Sequence, residues 1–184
     1  MVFAILTTYS RGMKFILLFS ALTFLFVAKT KAKDSTSNFR NTYQHSLGFA
    51  AGFTTGYGLS YRYMPARFGV QVTFAPYHDG ETDRFSTGLA LFYTLVQGKT
   101  SNLFLYQGTH YYYHSSLQYA RDFDPNFPNR MERITENYVN AGVGVGIEII
   151  MAKRIGLNLM SGYAAYDNFN KLNITGEAGL YYKF

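Results

Sequence analysis

From residue 43 to residue 184 the chain alternates apolar and polar side chains with a period of two, and no stretch shows the 3.6-residue period of an amphipathic helix. Successive residues of a strand point to opposite faces, so a chain patterned this way throughout must form a sheet with two walls of different chemistry. In residues 55–64, for example, Tyr57, Leu59, Tyr61 and Tyr63 oppose Gly58, Ser60 and Arg62.

Eight such runs can be marked, at 43–53, 55–64, 67–77, 85–97, 101–116, 138–151, 153–166 and 172–184. They have the length a tilted strand needs to cross the hydrocarbon layer, about 9–11 residues, rather than the five or six typical of soluble strands. Their connections alternate in character. Pro65-Ala66-Arg67, Gly98-Lys99-Thr100 and Ala152-Lys153-Arg154 are compact, whereas 78–84, 117–135 and 167–171 are longer and polar; Thr54-Thr55-Gly56 is short where a long loop is expected. With both termini on one side, the compact turns share that side and the long loops lie opposite, the asymmetry of barrels that cross the bacterial outer membrane.

Composition decides which wall faces inward. Charged residues make up 15% of the chain, well below the roughly one quarter of a soluble domain. Glycine recurs on the polar wall, as at Gly48, Gly58, Gly69, Gly88, Gly144 and Gly156, and the interior of eight strands is just wide enough for side chains. The other wall carries bulky aliphatic and aromatic groups, which on a water-exposed surface would drive association. The predicted fold is therefore all-β, an eight-stranded antiparallel up-and-down transmembrane β-barrel with its oily wall outward. Arg62, Glu148 and Glu177, with Lys183 beside them, become inward charges. Unpaired, they would be costly, so a hydrogen-bonded network with Gln71, Asn140 and Asn158 is expected. Its expected role is a polar plug that fixes strand register; the alternative is an ion path or narrow pore.

Met13 and Lys14 precede the apolar run Phe15 to Val27, which has the length of a signal-peptide core and is too short to span a bilayer as a helix. Thr30-Lys31-Ala32 offers small residues at the positions a signal peptidase reads, so cleavage is expected after Ala32. The expected organisation is a signal peptide over 1–32 with Met13 as candidate start, a tail over 33–42 and a barrel over 43–184. The formal charge of +6 invites a nucleic-acid reading, but Arg11, Lys14, Lys29 and Lys31 fall in the signal peptide, leaving 13 basic against 11 acidic residues. No nucleic-acid partner is expected.

Absence of Cys excludes disulfides, thiolate catalysis and Cys-ligated metals. Asp122-Phe123-Asp124 and Asp79-Gly80-Glu81-Thr82-Asp83 supply oxygen ligands without calcium-loop spacing, and the four His are scattered. No metal and no cofactor is expected.

The chain ends Glu177-Ala178-Gly179-Leu180-Tyr181-Tyr182-Lys183-Phe184. This resembles the C-terminal β-signal of bacterial outer-membrane proteins, with Glu177, Gly179, Tyr182 and Phe184 at its polar, glycine and two aromatic positions. The resemblance implies export to the periplasm, insertion by the barrel-assembly machinery and residence in the outer membrane among lipid and lipopolysaccharide.

His114 and Ser116 stand two apart on one strand face, with Glu132 and Glu136 downstream. The pattern is similar to the His-x-Ser of lipid A deacylase barrels, which implies an esterase in which Glu orients His and His deprotonates Ser. Two features depart from that family: about 70 residues and three strands follow His114, and the alternation turns its side chain inward. Tyr111, Tyr112, Tyr113 and Tyr119 are expected in an interfacial aromatic girdle. The longest loop, 117–135, carries mixed charge, including Arg121, Asp122, Asp124, Arg130, Glu132 and Arg133. The expected function is a structural or adhesive barrel that meets an extracellular ligand through its loops, with the deacylase-like esterase and the narrow pore as alternatives.

Overall fold

The computed structural model describes residues 43–119 and 131–184. The expected signal peptide, Met13, the 33–42 tail and the loop residues Arg121, Asp122, Asp124 and Arg130 lie outside the described residues. Eight antiparallel strands are present: β1 (His45–Gly52), β2 (Gly56–Tyr63), β3 (Phe68–His78), β4 (Thr82–Gln97), β5 (Ser101–Tyr119), β6 (Met131–Met151), β7 (Ile155–Tyr166) and β8 (Lys171–Lys183). Each pairs with its neighbours in sequence, and β8 returns to β1 to close the ring. At this seam Ser46 lies opposite Lys183 and Ala51 opposite Ala178. The Phe184 N–H donates to the His45 carbonyl at 2.9 Å and the His45 N–H donates back at 3.2 Å.

The walls have the polarity opposite to that of a soluble protein. Phe49, Leu59, Leu89, Val145 and Leu180 are each more than half exposed on the outside. Ser60, Gln71, Thr73 and Asn158 have no exposed surface at all. A small apolar cluster of Ala90, Phe92, Phe104, Tyr106 and Met160 also lies within, spanning the lumen between β4, β5 and β7.

Strand lengths are unequal. β1 and β2 have 8 residues each, whereas β5 and β6 have 19 and 21. The expected loop 117–135 is correspondingly shorter, because β5 runs on to Tyr119 and β6 already starts at Met131. Leu117 pairs with Arg133 and Gln118 with Glu132, so Glu132 and Arg133 are strand residues. Ladder hydrogen bonds persist there although the apolar alternation has stopped. Beyond the lipid both faces of a strand meet water, and no oily wall is required.

The β6–β7 connection turns through Ala152 and Lys153, with φ of 48° and 65°. Two consecutive left-handed residues match the twist of a tight hairpin, and Asn or Gly normally supply them. In L-residues with a Cβ this conformation costs roughly 1–2 kcal/mol each. We therefore expect Ala152→Asn with Lys153→Gly to raise the unfolding free energy by about 1 kcal/mol. Urea unfolding of vesicle-inserted protein checks this; an unchanged midpoint would show that the turn carries no strain.

Candidate functional site: the lumen and its mouth

Cross-strand register places polar residues of adjacent strands opposite one another on the inner wall. Arg62 faces Gln71, while Glu148 faces Asn102 on one side and Asn158 on the other. These residues meet near the end of the barrel where β1 begins and β8 ends. Arg62 donates to the Gln71 side-chain oxygen from Nε at 3.2 Å and from Nη2 at 2.7 Å. The Asn158 amide faces the guanidinium, and with its oxygen assigned to that side, where an NH2 would meet only donors, it accepts from Arg62 Nη1 and Nη2 at 2.5 and 2.6 Å. The guanidinium lies between the rings of Phe92 and Tyr181, 4.3 and 4.4 Å from their centroids. Glu148 stands 3.9 Å from Arg62, accepts from Asn102 at 2.7 Å and pairs with Lys183 at 2.8 Å.

Glu177 and Asn140, expected in the same network, instead belong to a second cluster that holds a plug. The β1–β2 turn folds into the barrel, where Thr54 and Thr55 are completely buried. Their hydroxyls donate one to each carboxylate oxygen of Glu177, and the Thr55 N–H adds a bond of 3.1 Å. The Phe53 carbonyl accepts from His110 Nδ1 at 3.1 Å and from Asn140 Nδ2 at 3.2 Å. Glycine makes room on the facing strands: a Cβ at Gly88 would fall on the Thr55 carbonyl, and one at Gly108 would lie 2.6 Å from the Thr54 carbonyl. Sequence reasoning does not place Phe53, Thr54 or Thr55 in the lumen, and the only signal is a short connection where a long one is expected.

Above the plug, inward side chains form an aromatic lining. Tyr112, assigned by the sequence to the outer girdle, points into the mouth and packs against Tyr138 at 4.9 Å between centroids. Tyr57, expected outside, reaches His110 at 5.7 Å and Tyr112 at 6.1 Å. Its strand leaves the regular pleat because Gly56 and Gly58 have φ of 82° and 120°.

His114 stacks on Tyr112 and lies opposite Glu136 on the β5–β6 ladder. Its Nδ1 is buried without a hydrogen-bond partner. A hydrolytic relay needs an acid on one ring nitrogen and the serine on the other, and with Nδ1 unpartnered among the described residues the two links are not both made. Ser116 is paired in register with Ile134, and Glu132 sits two residues before it in β6.

At the outer rim Asp83 joins three strands. It binds His78 of β3 in a short contact and accepts from Arg133 of β6 at 3.0 Å. The bond to His78 and the attraction of both bases hold the Asp83 carboxyl below the usual aspartate range. Asp79, whose side chain accepts the N–H groups of Thr82 and Glu81 at 2.7 and 3.2 Å, is depressed chiefly by the first of these.

Solved structures similar to this chain include the N-terminal β-barrel domain of Pseudomonas aeruginosa OprF, at 15% identity over 76% of this chain and 95% of that one, with a TM-score of 0.47. A major outer membrane protein from Thermus thermophilus is 15% identical over 78% of this chain and 100% of its own, with a TM-score of 0.48. Neisserial surface protein A is 14% identical over 76% of this chain and 93% of its own, with a TM-score of 0.41. No family model matches the sequence, and no curated protein matches it.

Two predictions arise from this geometry. Removing one partner of a buried charge network typically costs about 3–5 kcal/mol, so Arg62→Ala should lower unfolding stability by roughly that amount. Arg62→Lys should restore less than half, because an ammonium lacks the fork for Gln71 and Asn158 and the flat face for two rings; a lysine variant as stable as the native protein in urea titrations would contradict this. At the rim, a carboxyl with a depressed folded pKa contributes stability above its unfolded value and loses it as pH falls through the folded one. Carbon-detected NMR titration of Asp83 should thus give a midpoint below that of a free aspartate, with Arg133 released in the same acid step, and Asp83→Asn should release it at neutral pH.

Proposed function

We propose that this chain is a non-conducting β-barrel of the bacterial outer membrane that serves recognition at the cell surface. The observation that carries this reading is the β1–β2 turn buried in the lumen and tied to Glu177, His110 and Asn140. A second barrier of Phe92, Phe104, Tyr106 and Met160 lies in the same lumen. With its centre filled and its outer wall apolar, the chain offers, among the described residues, a solvated surface at the extracellular end built on β5 and β6.

Lipid and lipopolysaccharide are its surroundings in this reading. Glu177, Gly179, Tyr182 and Phe184 form the signal read by the barrel-assembly machinery. Tyr182 and Phe184 are about half exposed on the outer side, and Phe184 stacks on His45 across the closing seam.

Planar-bilayer recordings of the refolded chain test the closed lumen. We expect membranes that contain the protein to show no discrete conductance steps, and steps of reproducible size would overturn the reading in favour of a pore. Recognition is tested by surface expression in a Gram-negative host. Adherence of those cells to glycan-coated surfaces should exceed that of the same host carrying an empty vector, and equal adherence would reduce the barrel to a structural element.

A further inference from the structure

Between the plug, β6 and the β7–β8 turn lies a cleft of about 650 Å³ that includes Phe53, Tyr138 and Tyr166 in its lining. That volume falls within the range of small-ligand sites, about 300–1,000 Å³. Phe53 is 63% exposed although its own carbonyl is clamped by His110 and Asn140. Its ring meets Tyr166 edge-on at 6.0 Å. An apolar ring thus lines the cleft beside Tyr166, on a backbone fixed by two hydrogen bonds.

The opposite rim is strained. Asp167, Asn168 and Phe169 have φ of 54°, 55° and 70°, three left-handed residues in succession without a glycine. Such conformations persist where surrounding contacts over-determine them, and they cluster at ligand clamps. Here Asn168 accepts the Val139 N–H at 3.0 Å and donates its own N–H to the Val139 carbonyl at 3.2 Å, while the Asp167 N–H donates to Asn140 at 3.1 Å. These bonds hold Asp167, and Lys171 paired with it at 3.5 Å, beside the cleft.

The polar groups define what fits. Glu136, Asn137 and Lys171 supply both donors and acceptors along the edge. Glu136 and Asp167 outweigh Lys171 by one negative charge, which disfavours a polyanion. A quaternary ammonium would use the rings and carboxylates and leave the donors unmatched. A polyhydroxylated ring has one C–H face for an aromatic and a rim of hydroxyls that both donate and accept.

We propose that this cleft binds an uncharged saccharide, with one pyranose ring stacked on Phe53 and its hydroxyls bonded by Glu136, Asn137, Asp167 and Lys171. The proposal rests on the reading of a closed barrel with this end outside the cell, and it names the ligand class of that end.

Saturation-transfer NMR on the refolded full chain tests it, in a zwitterionic detergent without a sugar headgroup. The probes are methyl β-glucoside, methyl α-mannoside, N-acetylglucosamine and maltotriose, with choline and sucrose octasulfate as the competing classes. We expect saturable transfer to the ring C–H protons of at least one neutral sugar. Phe53→Ala should weaken it by about tenfold, the loss of one aromatic contact, and Phe53→Tyr should retain it. Asn137→Ala, away from the plug, should weaken it severalfold while circular dichroism shows an intact barrel. Absence of saturable transfer from every neutral sugar, an unchanged affinity in Phe53→Ala, or preferential binding of choline or the octasulfate would overturn the proposal. A preparation that stays silent in planar bilayers yet binds no sugar removes this inference alone, whereas one that conducts removes the reading beneath it.

Discussion

The seam between β1 and β8 is the contact on which the rest of the molecule depends. Lipid supplies no hydrogen-bond partners, and each orphaned backbone group within it costs several kcal/mol. An open sheet would leave two such edges. Closure through the six-residue register from Ser46–Lys183 to Ala51–Ala178 removes both at once. It also sets the diameter, and with it what the interior can hold. A ring of eight strands has no room for a water column beside long side chains, so the inward charges must find protein partners.

That requirement explains why the inner wall is organised by register. Arg62 and Gln71 are directly opposed, as are Glu148 and Asn158, so each charge meets an amide from the adjacent strand before any longer-range contact is made. Tyr181 and Phe92 then close over the two faces of the guanidinium. A planar, weakly hydrated cation is suited to this position, where its edges bond and its faces stack. Lys183 balances Glu148 from the solvent-near end. The same logic at mid-barrel uses hydroxyls in place of a cation: two threonines and a backbone amide satisfy Glu177.

The sequence makes the architecture legible because period-two patterning is imposed directly by a two-solvent environment. The eight runs, the inward polarity of Arg62, Gln71, Glu148 and Asn158, and the compact turns on one side all express that single constraint. Where the environment becomes uniform the pattern vanishes. The upper parts of β5 and β6, including Glu132 and Arg133, read as loop because water lies on both faces. Ala152 and Lys153 carry no sign of the left-handed turn they form. Tyr112 is indistinguishable by composition from Tyr111 and Tyr113, and only its parity on β5 sends it inward. The plug is the largest omission, since Phe53, Thr54 and Thr55 look like an ordinary hairpin tip and the burial of Thr54 and Thr55 depends on glycines in β4 and β5.

Closure of the lumen and display of the mouth are consequences of one turn. β1 and β2 are too short to reach the height of β5 and β6, so the ring has a low side. A hairpin tip on that side has two options, to stand in water or to fold across the opening. Folding inward buries Thr54 and Thr55 against Glu177, which satisfies a carboxylate that the β8 register places at mid-barrel. The residue immediately before them cannot follow, because its carbonyl is already taken by His110 and Asn140 above the plug. Phe53 is left facing out of the barrel, opposite the tall wall of β6. The geometry that seals the barrel thereby fixes an aromatic surface at the mouth beside β6, and a change that loosened Glu177 would be felt at both.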